Sequence, residues 1–283
     1  MQKTNISYLT HTWSPIAMRC ERKSEACLHC WHLIMADRLA KNPKISEDRR
    51  KAYAGGAPVL IEKELNAPLK LKKPAIIGTL FMGDLFHESI KTEWIDRIFN
   101  VMVRSSKNRY LVLTKRPERM RDYWMGEIPI HDAPPGYTIK KAGRPHSKLL
   151  DHIYLGVTVE NQKRADERIP ILLQIPAAVR FISVEPMLSK IDLGIDIGHG
   201  VGDLAIDRLN WVICGTESGQ KRRPAKIEWI RDLKDQCVDA GVPFFLKQIE
   251  INGKVSHDMY SWPEDLRIRS FPAHGLHKDG KNG

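Results

Sequence analysis

Pro74-Ala-Ile-Ile-Gly-Thr-Leu-Phe81 is a near-continuous apolar run, and it stops at Met82-Gly-Asp-Leu-Phe-His-Glu88. A strand buried on both faces reads this way, because helices cover both sides of a parallel sheet. Thr92 to Arg104 follows, with Trp94, Ile95, Ile98, Phe99 and Met102 at the i, i+1, i+4, i+5, i+8 spacing of a helix that buries one stripe. Apolar run, polar break and amphipathic helix make one β/α unit.

Downstream the unit repeats. Arg109 to Thr114 reads as a strand running into Lys115-Arg116-Pro117, with a short helix over Arg119 to Trp124. Residues 125 to 150 are Pro-, Gly- and Lys-rich and read as a loop. Ile153 to Val159 is a strand ending at Glu160-Asn161, and Gln162 to Gln174 is a helix carrying Pro170. Val179 to Val184 is a strand ending at Glu185-Pro186, and residues 187 to 208 read as a loop. Trp211 to Cys214 is a strand, Lys226 to Ala240 a helix and Val242 to Lys247 a final strand, after which an irregular, basic tail is expected over 251–283. Alternation of strand and helix predicts an α/β fold with parallel strands. With polar residues after every strand, a partial or full (β/α) barrel over residues 1–250 is favoured over a doubly wound sheet, since a barrel builds its site at those ends.

Upstream, Ser7 to Trp13 reads as a strand that delivers the chain to Cys20-Glu-Arg-Lys-Ser-Glu-Ala-Cys27-Leu-His-Cys30-Trp31. Three of the five cysteines fall in this loop. Three thiolates hold a [4Fe–4S] cubane by three corners and leave one iron open, whereas electron-transfer clusters take four cysteines. Trp31 would shield one cluster face. A zinc knuckle, with His29 or His32 as fourth ligand, is the alternative. A disulfide fits an odd cysteine number and an N-terminus without an apolar leader less well. His32 to Ala40 has apolar residues at helical spacing, which assigns Met35 and Leu39 to the core. Residues 41 to 73 are polar and basic and read as an insertion with one marginal element, Pro58 to Glu64.

The chain of 283 residues is long enough for one large domain or two smaller ones. Its formal net charge is +11, and its pI is near 9.4. That balance favours a polyanionic partner, and Lys70 to Lys73, Lys140 to Lys148 and Lys221 to Arg223 are its basic stretches. No apolar run approaches the length of a membrane span. A reducing, cytoplasmic compartment is expected.

On one rim the strand ends collect Cys20, Cys27 and Cys30, then Gly83, Asp84 and His87, then Thr114, Lys115 and Arg116. Glu160 and Asn161, Ser183 and Glu185, and Glu217 and Ser218 complete the set. Both charge signs are present, as an amino-acid-bearing cofactor requires. A carboxylate calls for a cation, an ammonium for carbonyls or carboxylates, and ribose hydroxyls for Asn, Glu or Ser.

The Cys-x2-Cys-aromatic half of the loop resembles that of radical S-adenosylmethionine (SAM) enzymes, whose first gap is three residues where this chain has six. Several stretches further resemble a three-cysteine-motif family of phages and bacteria, described as a phage protein of unknown function and similar to a divergent branch of the radical SAM superfamily. They are Trp13-Ser-Pro15, the cysteine loop, Gly83-Asp-Leu-Phe-His-Glu88 and Leu113-Thr-Lys-Arg-Pro-Glu-Arg-Met120. Gly156-Val-Thr-Val-Glu-Asn-Gln162, Ala165-Asp-Glu-Arg-Ile-Pro170, Ser183-Val-Glu-Pro186 and Gly241-Val-Pro-Phe-Phe-Leu-Lys-Gln248 continue the match.

By that resemblance Cys20, Cys27 and Cys30 are the cluster ligands. Met82, Gly83 and Asp84 stand where superfamily members carry Gly-Gly-Glu against the SAM amino group. Lys115 or Arg116 would pair with the SAM carboxylate, and Glu160, Asn161 and Ser183 with the ribose or methionyl group. Glu185 and Glu217 would face the substrate, and Cys214 is a candidate hydrogen donor. Cys237, in a helix, is expected to be structural.

The function so implied is a radical SAM enzyme, in which an external donor such as flavodoxin or ferredoxin reduces the cluster and a 5′-deoxyadenosyl radical takes hydrogen from substrate. Charge and phage-type context point to a nucleic acid or nucleotide, such as a hypermodified thymidine being isomerised, in the host cytoplasm if the chain is phage-encoded. The alternatives are a zinc-stabilised nucleic-acid-binding protein without catalysis, and a radical enzyme on a peptide or small metabolite.

Overall fold

In a computed structural model, residues 1–129, 138–140, 150–198, 202–219 and 221–273 are described. The strands are β1 (Gln2–Lys3), β2 (His11–Trp13), β3 (Ile16–Ala17), β4 (Val59–Leu60), β5 (Ile76–Thr79), β6 (Arg109–Thr114), β7 (Glu127–Pro129) and β8 (Thr138–Lys140), followed by β9 (Ile153–Thr158), β10 (Val179–Val184), β11 (Trp211–Gly215), β12 (Phe244–Ile251) and β13 (Lys254–Ser256). The helices are α1 (Trp31–Ala40), α2 (Glu47–Tyr53), α3 (Glu62–Leu65), α4 (Thr92–Arg104), α5 (Pro117–Met125), α6 (Gln162–Leu173) and α7 (Ile227–Asp239). Nine strands form one sheet in the order β1-β2-β5-β6-β9-β10-β11-β12-β13. Inside it β2 with β5, β5 with β6, β10 with β11 and β11 with β12 pair in parallel, while the outermost strands are antiparallel, β1 to β2 and β13 to β12. The fold is therefore mixed α/β with a large, mostly parallel sheet. Among the described residues no helix is long and apolar enough to cross a membrane.

Two compact units divide the chain. The first comprises Met1–Lys23, Cys30–Tyr154 and Ile175–Ala178. In it β5 is buried along its whole length, as its unbroken apolar run requires. Ile95, Ile98, Phe99 and Met102 bury the predicted stripe of α4, while Trp94 stays half exposed beneath Lys91. The stretch 41–73 is more ordered than its composition predicts. There α2 buries Ala52 and Tyr53 against Ala17, Ala36 and Ile61, and β4 pairs with β3. Its polar faces hide these small contacts from any hydrophobic period. Along α1 the fully buried residues are His32 and Ala36; Met35 and Leu39, assigned to the core, are half buried, and Trp31 and Ile34 are exposed.

The second unit comprises Ser24–His29, Leu155–Gln174 and Val179–Gly283. Gly156 is required here, since a Cβ would lie 2.5 Å from the Phe181 ring. Residues 252–273, expected to be irregular, are ordered. After the β12–β13 hairpin the chain returns along β12, where Leu246 N donates to Ile268 O and Ser270 N to Phe244 O. Trp211, Phe245 and Phe271 stack together, and Trp262 and Leu266 are buried. Single aromatics closing over a sheet have no period, so pattern reading does not find them. The basic stretch 140–148 lies almost wholly outside the described residues, as does 274–283.

Two outcomes test this packing. Trp262→Ala should lower unfolding free energy by about 3–5 kcal/mol in denaturant titrations; a loss below about 1 kcal/mol would mean that 252–273 is not docked. His152 is buried, with Nε2 donating to Met102 O at 2.9 Å, and burial holds its pKa below the ordinary value. The unfolded chain then binds the proton first, so this contribution is present above about pH 6.5 and is lost as pH falls through the folded pKa. His152→Gln should therefore show a flatter fall in stability between pH 7.5 and 5.5 than the unaltered protein.

Candidate functional site

In the first unit, β5 ends in a turn where Leu80 takes a left-handed backbone (φ 51°), a conformation costly for a branched residue and concentrated at functional sites. Gly83 follows because a Cβ there would meet the Met18 sulfur at 2.7 Å; Met82 beside it is half buried. Asp84 is buried and accepts four hydrogen bonds. They come from Phe86 N (3.0 Å), Thr114 Oγ1 (2.6 Å), Lys115 N (3.1 Å) and Arg116 Nη1 (3.0 Å). The network ties the end of β5 to the end of β6.

Arg116 is 3% exposed and also gives Nε to Glu88 at 2.6 Å. Burial opposes its charge, but Asp84, Glu88 and Cys20 together raise its pKa. Lys115 is half buried, and its ammonium has no hydrogen bond or ion pair among the described residues. Of the two cations expected to meet a carboxylate, Lys115 is the uncommitted one. His87 Nδ1 accepts from Ser89 N (3.2 Å) and contacts Ser89 Oγ (2.7 Å), so the neutral ring carries its proton on Nε2. That nitrogen is buried without a partner among the described residues, and burial, then Arg116, lowers the pKa of the ring. Cys20, half buried, donates its backbone N–H to His32 Nε2 at 3.1 Å. The His32 Nε2 lone pair is thus engaged, while Nδ1 is buried without a partner among the described residues. Cys30, half buried, precedes α1 at its N-terminal boundary.

In the second unit the Glu25–Cys27 turn is clamped by three groups. Glu160, fully buried, accepts from Arg168 Nη1 (3.0 Å) and from Ala26 N (3.5 Å). Arg164 forks onto Glu25, both contacts at 3.1 Å, and with this hydrogen bond as the main cause the Glu25 carboxyl falls to about 2. Arg223 donates to Glu25 O at 3.0 Å and grips Glu217 through Nε (2.9 Å) and Nη2 (2.5 Å). Burial raises the Glu217 carboxyl, but the Arg223 bonds outweigh it and leave the pKa low. Cys27 is buried, with Ser24 Oγ 4.0 Å away. Asn161 caps α6, its Oδ1 accepting Arg164 N at 3.0 Å.

At the ends of β10 to β12, Glu185 pairs with Lys247 and receives Gln248 Nε2 at 3.3 Å. Ser183 Oγ, Thr216 Oγ1 and Gln248 Oε1 are buried without partners among the described residues, and such atoms cost about 1–3 kcal/mol each unless something else bonds them. Cys214 is fully buried with its thiol 3.9 Å from Met187 sulfur. Burial raises its pKa well above the ordinary thiol value. Cys237, on α7, is likewise buried, and burial raises its thiol to about 12.

Sequence reading placed Asp84, Arg116, Glu160, Asn161 and Glu217 at strand ends, where they are found, but not their partners. Glu160, Arg164 and Arg168 follow an i, i+4, i+8 series, the signal from which the clamp was legible. Lys247 and Gln248 lie in a stretch noted above without a role. No cysteine forms a disulfide, and among the described residues no three His, Cys, Asp or Glu side chains are grouped to hold a metal ion.

In each unit charged side chains and part of the cysteine loop lie near the C-terminal ends of parallel strands, so the protein is a mixed α/β protein with a candidate site at its strand ends. The chain belongs to the family described as "Protein of unknown function (DUF5131)", whose model matches residues 3–271. No curated protein and no solved structure matches it.

The clamps differ in expected worth. Asp84→Ala leaves Arg116 half-paired in the interior and should cost about 3–5 kcal/mol in denaturant titrations. Glu25→Gln removes an ion pair whose carboxylate is 47% exposed, and should cost less than about 1 kcal/mol. Equal losses would contradict this division.

Proposed function

We propose that the protein is a radical SAM enzyme whose [4Fe–4S] cluster is held by Cys20, Cys27 and Cys30. The observation that carries the reading is the anchoring of the cysteine loop. The backbone of Cys20 is tied to His32 in one unit, and the Ala26 and Glu25 backbone to Glu160 and Arg223 in the other. Soft thiols suit iron, and no disulfide competes for them. When bound, such a cluster supplies the electron that cleaves SAM and so a carbon-centred radical that takes hydrogen from substrate. Engagement of His32 Nε2 weighs against a zinc knuckle that binds through that nitrogen.

The sheet order supports a partial or full (β/α) barrel. From β2 to β12 each strand lies beside its predecessor in the sheet. Right-handed crossovers then put the connecting helices on one face, whereas a doubly wound sheet reverses its order. Lys115, with no partner among the described residues, is the cation offered to the SAM carboxylate; Arg116, saturated by Asp84 and Glu88, keeps the turn in place beside it. Asp84 likewise orders the turn that presents Met82 and Gly83. Net charge supports a nucleotide or nucleic-acid substrate, and a modified thymidine is the substrate class we propose, with a small donor protein supplying electrons.

Anaerobic reconstitution with iron and sulfide should give a brown protein absorbing near roughly 400 nm. Changing Cys20, Cys27 or Cys30 to Ala should abolish the colour, and Cys237→Ala should not. Stoichiometric zinc without iron would overturn the reading. On the reconstituted protein Lys115→Ala should weaken SAM binding by about 1.5–3 kcal/mol, the worth of a bond to a charged group, measured by calorimetry; unchanged affinity would remove Lys115 from the carboxylate contact.

A further inference from the structure

Three buried polar atoms without partners lie at the ends of three adjacent strands of the second unit, Ser183 on β10, Thr216 after β11 and Gln248 on β12. Register places Ser183 beside Ile213, and Gly215 beside Gln248. Ile213 and Gly215 share a face because side chains alternate along a strand, so Ser183, Glu185 and Gln248 share it too. A register shift between Cys214 and Gly215 brings this about. Without the extra residue, Lys247 would take the place of Gln248 on that face.

Gly215 opens the space. A Cβ there would lie 3.1 Å from both Gln248 Nε2 and Glu185 Cγ, so the Gln248 amide reaches across the glycine toward the end of β10. Its orientation is fixed by chemistry. Nε2 faces Thr216 O at 2.8 Å and Glu185 Oε1 at 3.3 Å, a carbonyl and an oxygen already paired with the Lys247 ammonium, so the NH2 group must point there and the carbonyl elsewhere. Oε1 therefore awaits a donor, and it cannot be satisfied by rotating the amide. Ser183, two residues or about 6.6 Å back along β10, is 1% exposed, and Gln248 is 2% exposed.

The geometry points to a binding site for an uncharged nucleobase edge, whose N–H donates to Gln248 Oε1 while the hydroxyl of Ser183 meets its carbonyl or ring acceptor. Amide side chains read base edges in this way, by direct hydrogen bonds. The acceptor left open here selects for a donor and against its methylated counterpart. The assignment of the site to substrate rests on the proposed function, but the hydrogen-bond pattern does not. Two sources carry such an edge, a thymine-type substrate through N3–H and an adenine through N6–H.

The test uses the full-length protein, as purified and after iron chelation, with saturation-transfer NMR and calorimetry. Thymidine is compared with N3-methylthymidine, and adenosine with N6,N6-dimethyladenosine. Methylation should weaken binding about tenfold or more in at least one pair, because a buried acceptor is left unpaired. The pair that responds identifies the source. Gln248→Met should erase the discrimination; the methylated ligands test the unaltered protein, so the outcome stands even if that variant misfolds. Equal binding within both pairs, or no nucleoside binding at millimolar concentration, overturns the site and leaves its polar atoms to water. SAM cleavage by reconstituted protein without nucleoside binding would sink the site and keep the proposed function. Discriminating binding by protein that forms no cluster would do the reverse.

Discussion

The Asp84 carboxylate accepts four hydrogen bonds with little water around it, and the ends of β5 and β6 are shaped by that demand. An ionised carboxylate inside a protein is tolerable only when its lone pairs are occupied and its charge is met. Arg116 meets the charge, Thr114 and two backbone amides fill the remaining positions, and Glu88 completes the guanidinium at the surface. The turn carrying Met82 and Gly83 is therefore held by bonds within its own unit. In the proposed enzyme this would serve as preorganisation, since a site that need not reorganise loses no energy in doing so.

The second unit solves the same problem at Glu160, which Arg168 neutralises from the second turn of α6 while Ala26 N takes the other oxygen. Here the paired charges hold a cysteine-bearing turn. Glu217 and Arg223 add a further grip on that turn through Glu25 O. A consequence is that much of the charge at the strand ends is spent internally, Arg222 included, which pairs with Glu250. Net charge therefore overstates the cations available to a polyanion. Among the described residues, polar groups without a partner near the strand ends include Lys115, His87 Nε2, Thr79, Ser183, Thr216 and Gln248 Oε1.

Much of the fold was legible in the chain itself. Strands β5, β6, β9 and β10 and helices α4, α6 and α7 fall within a residue or two of where apolar runs and stripes put them. Burial on both faces of a parallel strand leaves an unbroken apolar run, and burial on one helix face leaves a stripe, so both are written locally. The positions of polar residues after strands were equally legible, because βα connections are short. The α2 helix and the 252–273 return were not, because they are held by small residues or by single aromatics whose partners are distant in sequence.

Which polar residues are available was decided by the tertiary structure alone. Asp84, Glu160 and Glu217 read along the chain as carboxylates available to the cofactor or the substrate; folded, each is matched to an arginine. Gln248 carried no role in the sequence, and in the fold its amide carbonyl lies buried without a partner among the described residues because a register shift and Gly215 turn it across the strand ends. Residue type and spacing determine what a side chain can do, and these were present from the start. Whether its lone pairs and charge are already satisfied depends on neighbours tens of residues away, and only folding supplies them.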